Sequence, residues 1–194
     1  MKILAATNNK DKLVEIRRIL EPLGVEVVSP AEVGVSIEVD ETGATFAENA
    51  LIKARAFFEA SGLPSLADDS GLCVDALDGR PGLHTAYYQG ENATYPQRIA
   101  ALVDELKDVP EERRTARFVC HLCLVIDGQP AIECKGVCEG SIGRRPAGEG
   151  GFGYDPIFYV DGKSMAERPK EEKDYLSHRG RALREFAVRL GQTE

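Results

Sequence analysis

The chain has no long run of Lys or Arg, and its formal net charge is -8. It therefore lacks the electrostatic footprint of a general DNA- or RNA-binding protein, although a small anionic ligand held by a few local cations is compatible with that charge. Long apolar runs are also missing. The opening "MKILAATNNK" is too short for the hydrophobic region of a secretion signal, and no stretch reaches the ~20 apolar residues that cross a bilayer. A cytoplasmic protein with no membrane partner is the expectation. No G-x-x-x-x-G-K-[ST] run occurs, so phosphate binding, if present, uses a device other than a P-loop. Internal repeats and low-complexity tracts are absent. The three histidines, His84, His121 and His178, are far apart, and no Ser/His/Asp order suggests a triad.

Five cysteines, an odd number with no secretion signal, point to reduced thiols. Cys120, Cys123, Cys134 and Cys138 resemble a zinc pattern, but "RFVCHLCLVID" and "PAIECKGVCEG" read as two hairpin strands joined at "DGQP". A spacing of three in a strand sends Cys120 and Cys123 to opposite faces, whereas zinc needs convergent ligands.

The 194 residues, 43% of them hydrophobic, suffice for one sizeable core. One domain over residues 1–194, with room for two lobes, is expected. "KILAAT" reads as a strand, and "KDKLVEIRRILEPLG" as a helix with Leu13, Ile16, Ile19 and Leu20 on one face, ended by Pro22 and Gly24. Thr7, Asn8 and Asn9 then lie where a strand meets a helix N-terminus. Free N–H groups there favour an anion and Lys10 and Lys12 add charge, but Asn and Thr are also ordinary caps.

A second helix, "TFAENALIKARAFFEASG", opens with Thr45 and Glu48 at capping-box spacing and closes at Gly62. Phe46, Ala50, Ala54 and Phe57 are its expected core residues. Asn49 and Lys53 share a face, and Asp40 and Glu41 precede the helix. "LPSLADDSGLCVDAL" reads as a strand delivering Asp68, Asp69 and Ser70 at its end, where open α/β sheets place ligands. "GRPGLHTAYYQGENAT" is a Gly-rich connection, and "YPQRIAALVDELKDV" another helix, through Ile99, Leu102, Val103 and Leu106. In "GGFGYD", glycines beside Phe152 and Tyr154 suggest a planar ligand near the backbone, with a plain turn as the alternative. The C-terminal "RPKEEKDYLSHRGRALREFAVRLG" reads as a helical segment, its core side through Leu176, Leu183, Phe186 and Leu190, with Lys173, Ser177, His178 and Arg179 as a polar group.

These features sort by chemistry. Acids (Asp40, Glu41, Asp68, Asp69) suit Mg²⁺, a hard ion that prefers oxygen ligands. Thr7 to Lys12, Lys53, Ser70 and Lys173 suit a polyphosphate. Phe152, Tyr154, Asp155, His178 and Arg179 suit a base. Together they suggest a nucleoside triphosphate enzyme.

The motifs "TNNKDK", "ETGATFAENA", "ADDSGL", "GGFGYDPIF" and "EEKDYLSHRGRAL", in one order from about Ile3 to Phe186, closely resemble the inosine/xanthosine triphosphate pyrophosphatase (Ham1-like) family. The resemblance implies an α/β fold in which an elongated mixed sheet with flanking helices joins two lobes, with the active site in the cleft and a homodimer as the usual assembly. It implies Mg²⁺-dependent hydrolysis of ITP, dITP and XTP to monophosphate and pyrophosphate. It places phosphate binding on Thr7, Asn8, Asn9, Lys10, Asp11 and Lys12, with Lys53 and Lys173, and metal on Glu41 and Asp69. Asp69 is also the implied general base and Ser70 a substrate contact. Base binding maps to Phe152, Gly153, Tyr154 and Asp155, then His178 and Arg179.

The chemistry is coherent with that assignment. Water attacks the α-phosphorus while charge builds on the departing diphosphate, so Mg²⁺ and lysines should face that charge. Inosine and xanthine present an acceptor at C6 where adenine presents a donor. A donor such as Arg179 or a backbone N–H would then discriminate by roughly 10⁴-fold. The sequence departs from the family in lacking the glycine usual near Asp11, in having Tyr87 where an Arg is usual, and in having Thr85 for a more typical serine. Two other readings are a pyrophosphatase for modified pyrimidine or methylated nucleotides, and a non-catalytic nucleotide sensor. Retention of both Glu41 and Asp69 speaks against the sensor, because binding alone needs no activated water.

Overall fold

The computed structural model describes residues 1–191. Its strands and helices are β1 (Lys2–Ala5), α1 (Lys10–Leu20), β2 (Glu26–Val28), α2 (Phe46–Ser61), β3 (Ser65–Val74), α3 (Tyr95–Glu105), β4 (Thr115–Val125), β5 (Ile132–Ile142), β6 (Phe158–Val160), β7 (Lys163–Ser164), α4 (Lys170–Leu176) and α5 (His178–Leu190). The strands form one open, mixed sheet in the order β2-β1-β3-β4-β5-β6-β7. β1 runs parallel to both β2 and β3, while β6 is antiparallel to β5 and β7. No helix among the described residues is long and apolar enough to cross a membrane.

The chain divides into two compact units. The first comprises Met1–Asp69, Cys120–Gly136 and the chain from His178 onward; the second comprises Ser70–Val119 and Val137–Ser177. In the first unit, the period-two alternation of strands builds two cores. Ile3, Ala5, Leu66, Cys120 and Leu122 pack with Ile16 and Leu20 of α1 and Ala182, Leu183 and Phe186 of α5. Leu4, Ala6, Ala67 and Cys123 pack with Ala50, Ala54 and Phe57 of α2. Cys120 and Cys123 thus belong to different cores, as their spacing predicts. Burial pushes the Cys123 thiol up to about 12 and that of Cys134 to about 11, so both stay neutral. The second unit has one core, in which Leu72, Ile99, Leu102, Phe118, Tyr154 and Phe158 take part.

Local signals account for the helix ends. Thr45 caps α2 by accepting from Glu48 N, and Gly62 closes it in the left-handed region at φ 69°. The Glu48 carboxylate accepts from Ala44 N instead of from the cap residue's own N–H. Phe46 is only half-buried, so the core of α2 begins at Ala50.

Two expectations need correction. β3 does not stop at the aspartates: it continues through Asp68, Asp69 and Ser70 to Val74. The C-terminal edge is supplied by β1, whose pairing with β3 ends at Ala5↔Leu66. The aspartates therefore follow directly beyond the last β1 pair, level with the loop that begins at Thr7. The C-terminal segment is two helices, not one. Ser177 is buried and extended (φ -66°, ψ 155°) and separates α4 from α5.

Candidate active site

The alternation that sorts the cores also sorts the aspartates. Leu66 faces the α1/α5 side and Ala67 the α2 side, so period two carries Asp68 toward α1 and α5 and Asp69 toward α2. The partners agree. Asp68 Oδ1 accepts from Lys12 Nζ at 2.7 Å, and Oδ2 accepts from Arg179 Nε at 2.6 Å and from Cys120 Sγ at 3.3 Å. Arg179 Nη1 continues the chain to Glu15 Oε2 at 2.6 Å. Burial opposes the ionisation of Asp68, but Arg179 and Lys12 outweigh it and hold the carboxyl well below the usual carboxylate range. The Arg179 guanidinium, between two carboxylates, is shifted upward despite its burial.

On the α2 side, Lys53 Nζ lies 2.9 Å from Glu41 Oε1 and donates to the Asp68 carbonyl oxygen at 3.2 Å. The approach to α2 is fastened one helical turn earlier, where Asn49 Oδ1 accepts from Gly43 N at 2.7 Å. A Cβ at Gly43 would stand 2.6 Å from that oxygen, so the close approach requires glycine. Asn49 and Lys53 share a helix face, so one surface of α2 both pins this segment and meets Glu41. The Asp69 carboxyl is raised to about 6. Burial is the largest cause, Glu41 and Asp68 add to it, and Lys53 and Lys12 oppose it.

The start of α1 is capped by its own sequence. Asn9 Oδ1 accepts from Asp11 N at 2.9 Å and Lys12 N at 3.1 Å, and Thr7 Oγ1 accepts from Asn9 N at 3.1 Å. The junction is a capped loop, and it brings Lys12 to the buried Asp68. Asn8, Lys10 and Asp11 are exposed.

The second unit assembles a separate cluster. Lys173 Nζ lies 2.6 Å from Asp155 Oδ2, with both side chains buried, and 4.4 Å from the Phe152 ring centroid. Asp155 Oδ2 also accepts from Phe152 N at 2.8 Å. A Cβ at Gly151 (φ 69°) would fall 2.1 Å from that oxygen, so this turn requires glycine. Tyr154 is 2% exposed; its hydroxyl donates to Thr85 O at 2.9 Å, and its ring meets Tyr95 edge-on at 5.5 Å. Thr85 Oγ1 accepts from Leu72 N at 2.9 Å and donates to Gly82 O at 2.6 Å, so it supplies the hydroxyl a serine would. Tyr87 is exposed.

The chain matches the Ham1 family over residues 3–189. It belongs to that family. A dITP/XTP pyrophosphatase of Geobacillus kaustophilus (strain HTA426) is 49% identical over 184 residues, 94% of this chain and 90% of that protein. One from Escherichia coli (strain K12) is 45% identical over 187 residues, 94% of each chain. The structure of a HAM1 protein from Coxiella burnetii superposes with a TM-score of 0.89 at 40% identity, covering 99% of each chain.

In this Ham1-family chain the first unit gathers Lys12, Glu41, Lys53, Asp69 and Arg179, with Thr7 and Asn9 at the start of α1. The second holds Ser70, Phe152, Gly153, Tyr154, Asp155 and Lys173. His178, buried, is the first residue of α5. The acids do not act as one set. Asp68 is saturated by two cations, and among the described residues no three His, Cys, Asp or Glu side chains come together as a metal nest. The polar group Lys173, Ser177, His178 and Arg179 is buried throughout and does not form a solvated face. Sequence reading missed Glu15, the second carboxylate on Arg179. Its signal was an acid flanking the apolar face of α1.

Proposed function

We propose that this chain hydrolyses dITP, ITP and XTP to the nucleoside monophosphate and pyrophosphate. It is a nucleoside-triphosphate pyrophosphatase. The observation that carries the reading is the Lys53–Glu41 ion pair, both of whose charges act on the Asp69 carboxyl, on a chain whose relatives are named dITP/XTP pyrophosphatase over nearly their whole length.

Glu41 and Asp69 fit Mg²⁺. Both offer hard oxygen donors, and Glu41 raises the Asp69 carboxyl, a repulsion that a divalent cation relieves. A pair of carboxylates completed by substrate phosphates is the usual Mg²⁺ arrangement. When bound, the ion supplies charge neutralisation at the phosphates. Lys53, and Lys12 beside the amide groups that open α1, add fixed positive charge for the triphosphate, and Thr7 to Asp11 line the approach. Asp69, its carboxyl raised to about 6 and so ionised above about pH 6, takes the proton from the attacking water.

In the second unit Phe152, Gly153 and Asp155 receive the base, Lys173 and Ser70 contact the substrate, and His178 contributes from α5. Tyr154 acts through its backbone, because its ring is committed to the core. Arg179 is 3% exposed, with Nε and Nη1 on carboxylates. A backbone N–H is therefore the better reader of the 6-keto oxygen, and the Arg179 side chain is held on Asp68 and Glu15. A homodimer is the expected assembly.

The test is a panel of nucleoside triphosphates with Mg²⁺, assaying pyrophosphate and orthophosphate separately. Pyrophosphate from ITP and XTP with little from ATP is expected; orthophosphate, or no product, overturns the reading. Asp69→Asn should lower kcat by about 10²–10⁴-fold with the fold retained.

A further inference from the structure

Asp68 stands apart from the groups assigned so far. Its side chain is wholly inaccessible, yet the Lys12 side chain it holds is 19% exposed. Lys12, Arg179, Asp68 and Glu15 together are neutral, and three of the four side chains lie within 7% exposure. A network built only for stability has no need to end on a partly exposed ammonium. This one runs from Glu15 through Arg179 and Asp68 and terminates on Lys12, in the first turn of α1, at the positive end of the helix dipole. The Asp68 carbonyl does related work: it accepts from Lys53 Nζ at 3.2 Å and from Lys12 Nζ at 3.5 Å. One residue thus fixes the ammonium groups of two lysines from two helices.

On this basis we propose that Asp68 is a positioning residue for the pyrophosphatase reaction, holding the Lys12 ammonium where the diphosphate leaving group is received. It touches neither substrate nor metal. Arg179 anchors the second carboxylate oxygen, so the first stays aimed at Lys12 and cannot rotate away. The inference rests on the pyrophosphatase reading, deepens its account of the phosphate side, and is separable from it by experiment.

Inorganic pyrophosphate is the probe, with binding measured by calorimetry on full-length wild type, Asp68→Asn, Lys12→Met and the double variant. KM and kcat for ITP are read in parallel. Measured well below the Tm of each variant, where nearly all molecules are folded, the dissociation constant is that of the native state, so a purely structural role for Asp68 would lower yield and Tm but leave Kd and KM in place. A positioning role weakens pyrophosphate roughly tenfold or more, as loss of a charge-assisted contact does, and raises KM for ITP. It also makes the cycle non-additive: in the Lys12→Met background, Asp68→Asn should add little. Wild-type Kd and KM in Asp68→Asn, or fully additive losses, overturn the proposal. If Asp68→Asn does not fold, Lys12→Arg serves. It keeps the charge but not the position set by Asp68 Oδ1, and should still lose affinity; full affinity in Lys12→Arg overturns the proposal too. A wild type that makes no pyrophosphate from ITP defeats the pyrophosphatase reading itself, whatever the variants do.

Discussion

Asp68 and Asp69 are consecutive on β3, and their carboxyls are driven in opposite directions. Asp68 is held well below the usual range by Arg179 and Lys12, whereas Asp69 is raised to about 6 by burial, Glu41 and Asp68 itself. The cause is strand geometry: one step along β3 exchanges the cation-rich α1/α5 side for the side where Glu41 stands. A permanent anion and a titratable acid are thereby placed side by side.

The raised Asp69 makes a stability prediction. Its proton is held more tightly in the folded chain (about 6) than in the unfolded one, where an aspartate has its ordinary value of 3.8, so below about pH 4 both states are protonated and Asp69 is neutral to stability. Between those values the folded state binds the extra proton, and stability falls as pH rises. Above about pH 6 the penalty is complete, on the order of 1–3 kcal/mol. Asp69→Asn should therefore raise Tm at pH 7 in a chelating buffer and leave it unchanged at pH 4. A Tm that falls at pH 7 would contradict this.

The same shift makes metal binding pH-dependent. A carboxylate must lose its proton to ligate a hard cation, so Mg²⁺ affinity of the substrate-free protein should rise about tenfold per pH unit up to about pH 6 and then level off. Calorimetry in buffers of different ionisation enthalpy should detect up to one proton released per ion at pH 5 and almost none at pH 8. Asp69→Asn should abolish that release.

Close backbone packing at Gly136 supports α5. A Cβ there would lie 1.9 Å from His178 O and 2.6 Å from Ala182 N, both main-chain atoms that no side-chain rotation can clear. Gly136→Ala should cost about 1–3 kcal/mol or more, read as a lower urea midpoint with an unchanged m-value. Because the displaced turn carries His178 and Arg179, KM for ITP should rise as well, which a remote destabilisation would not cause.

Legibility in the sequence followed how local each signal was. α2 could be bounded because Thr45 and Gly62 act within one turn of its ends. The continuation of β3 through "DDSG" could not, since Asp, Ser and Gly are poor strand formers. What tolerates Asp68 there is Lys12, 56 residues away, and Arg179, 111 away. The break at Ser177 was hidden because Leu176 and Leu183, seven apart, fit one continuous helix although they serve different cores. Tyr154 looked like an open aromatic beside glycines; its hydroxyl partner lies 69 residues away in sequence. The motif residues were identifiable, but their division into neutralised Asp68 and reactive Asp69 was not.

The buried pair in the second unit separates stability from charge. Asp155 and Lys173 are both buried, and Asp155 also accepts from Phe152 N. Lys173→Met keeps the stem's packing but takes the Lys173 ammonium from a charged, buried Asp155, which costs about 3–5 kcal/mol, or on the order of 10 °C in Tm for a chain of this size. Asp155→Asn combined with Lys173→Met removes both charges while the amide oxygen still accepts from Phe152 N. The double variant should therefore regain much of the lost Tm. Activity should not follow, because Lys173 is proposed to contact substrate, and kcat/KM for ITP should stay low in both variants. Recovery of Tm and activity together would reduce Lys173 to a counter-ion for Asp155; recovery of neither would mean that the ammonium packed over the Phe152 ring at 4.4 Å stabilises the turn by itself.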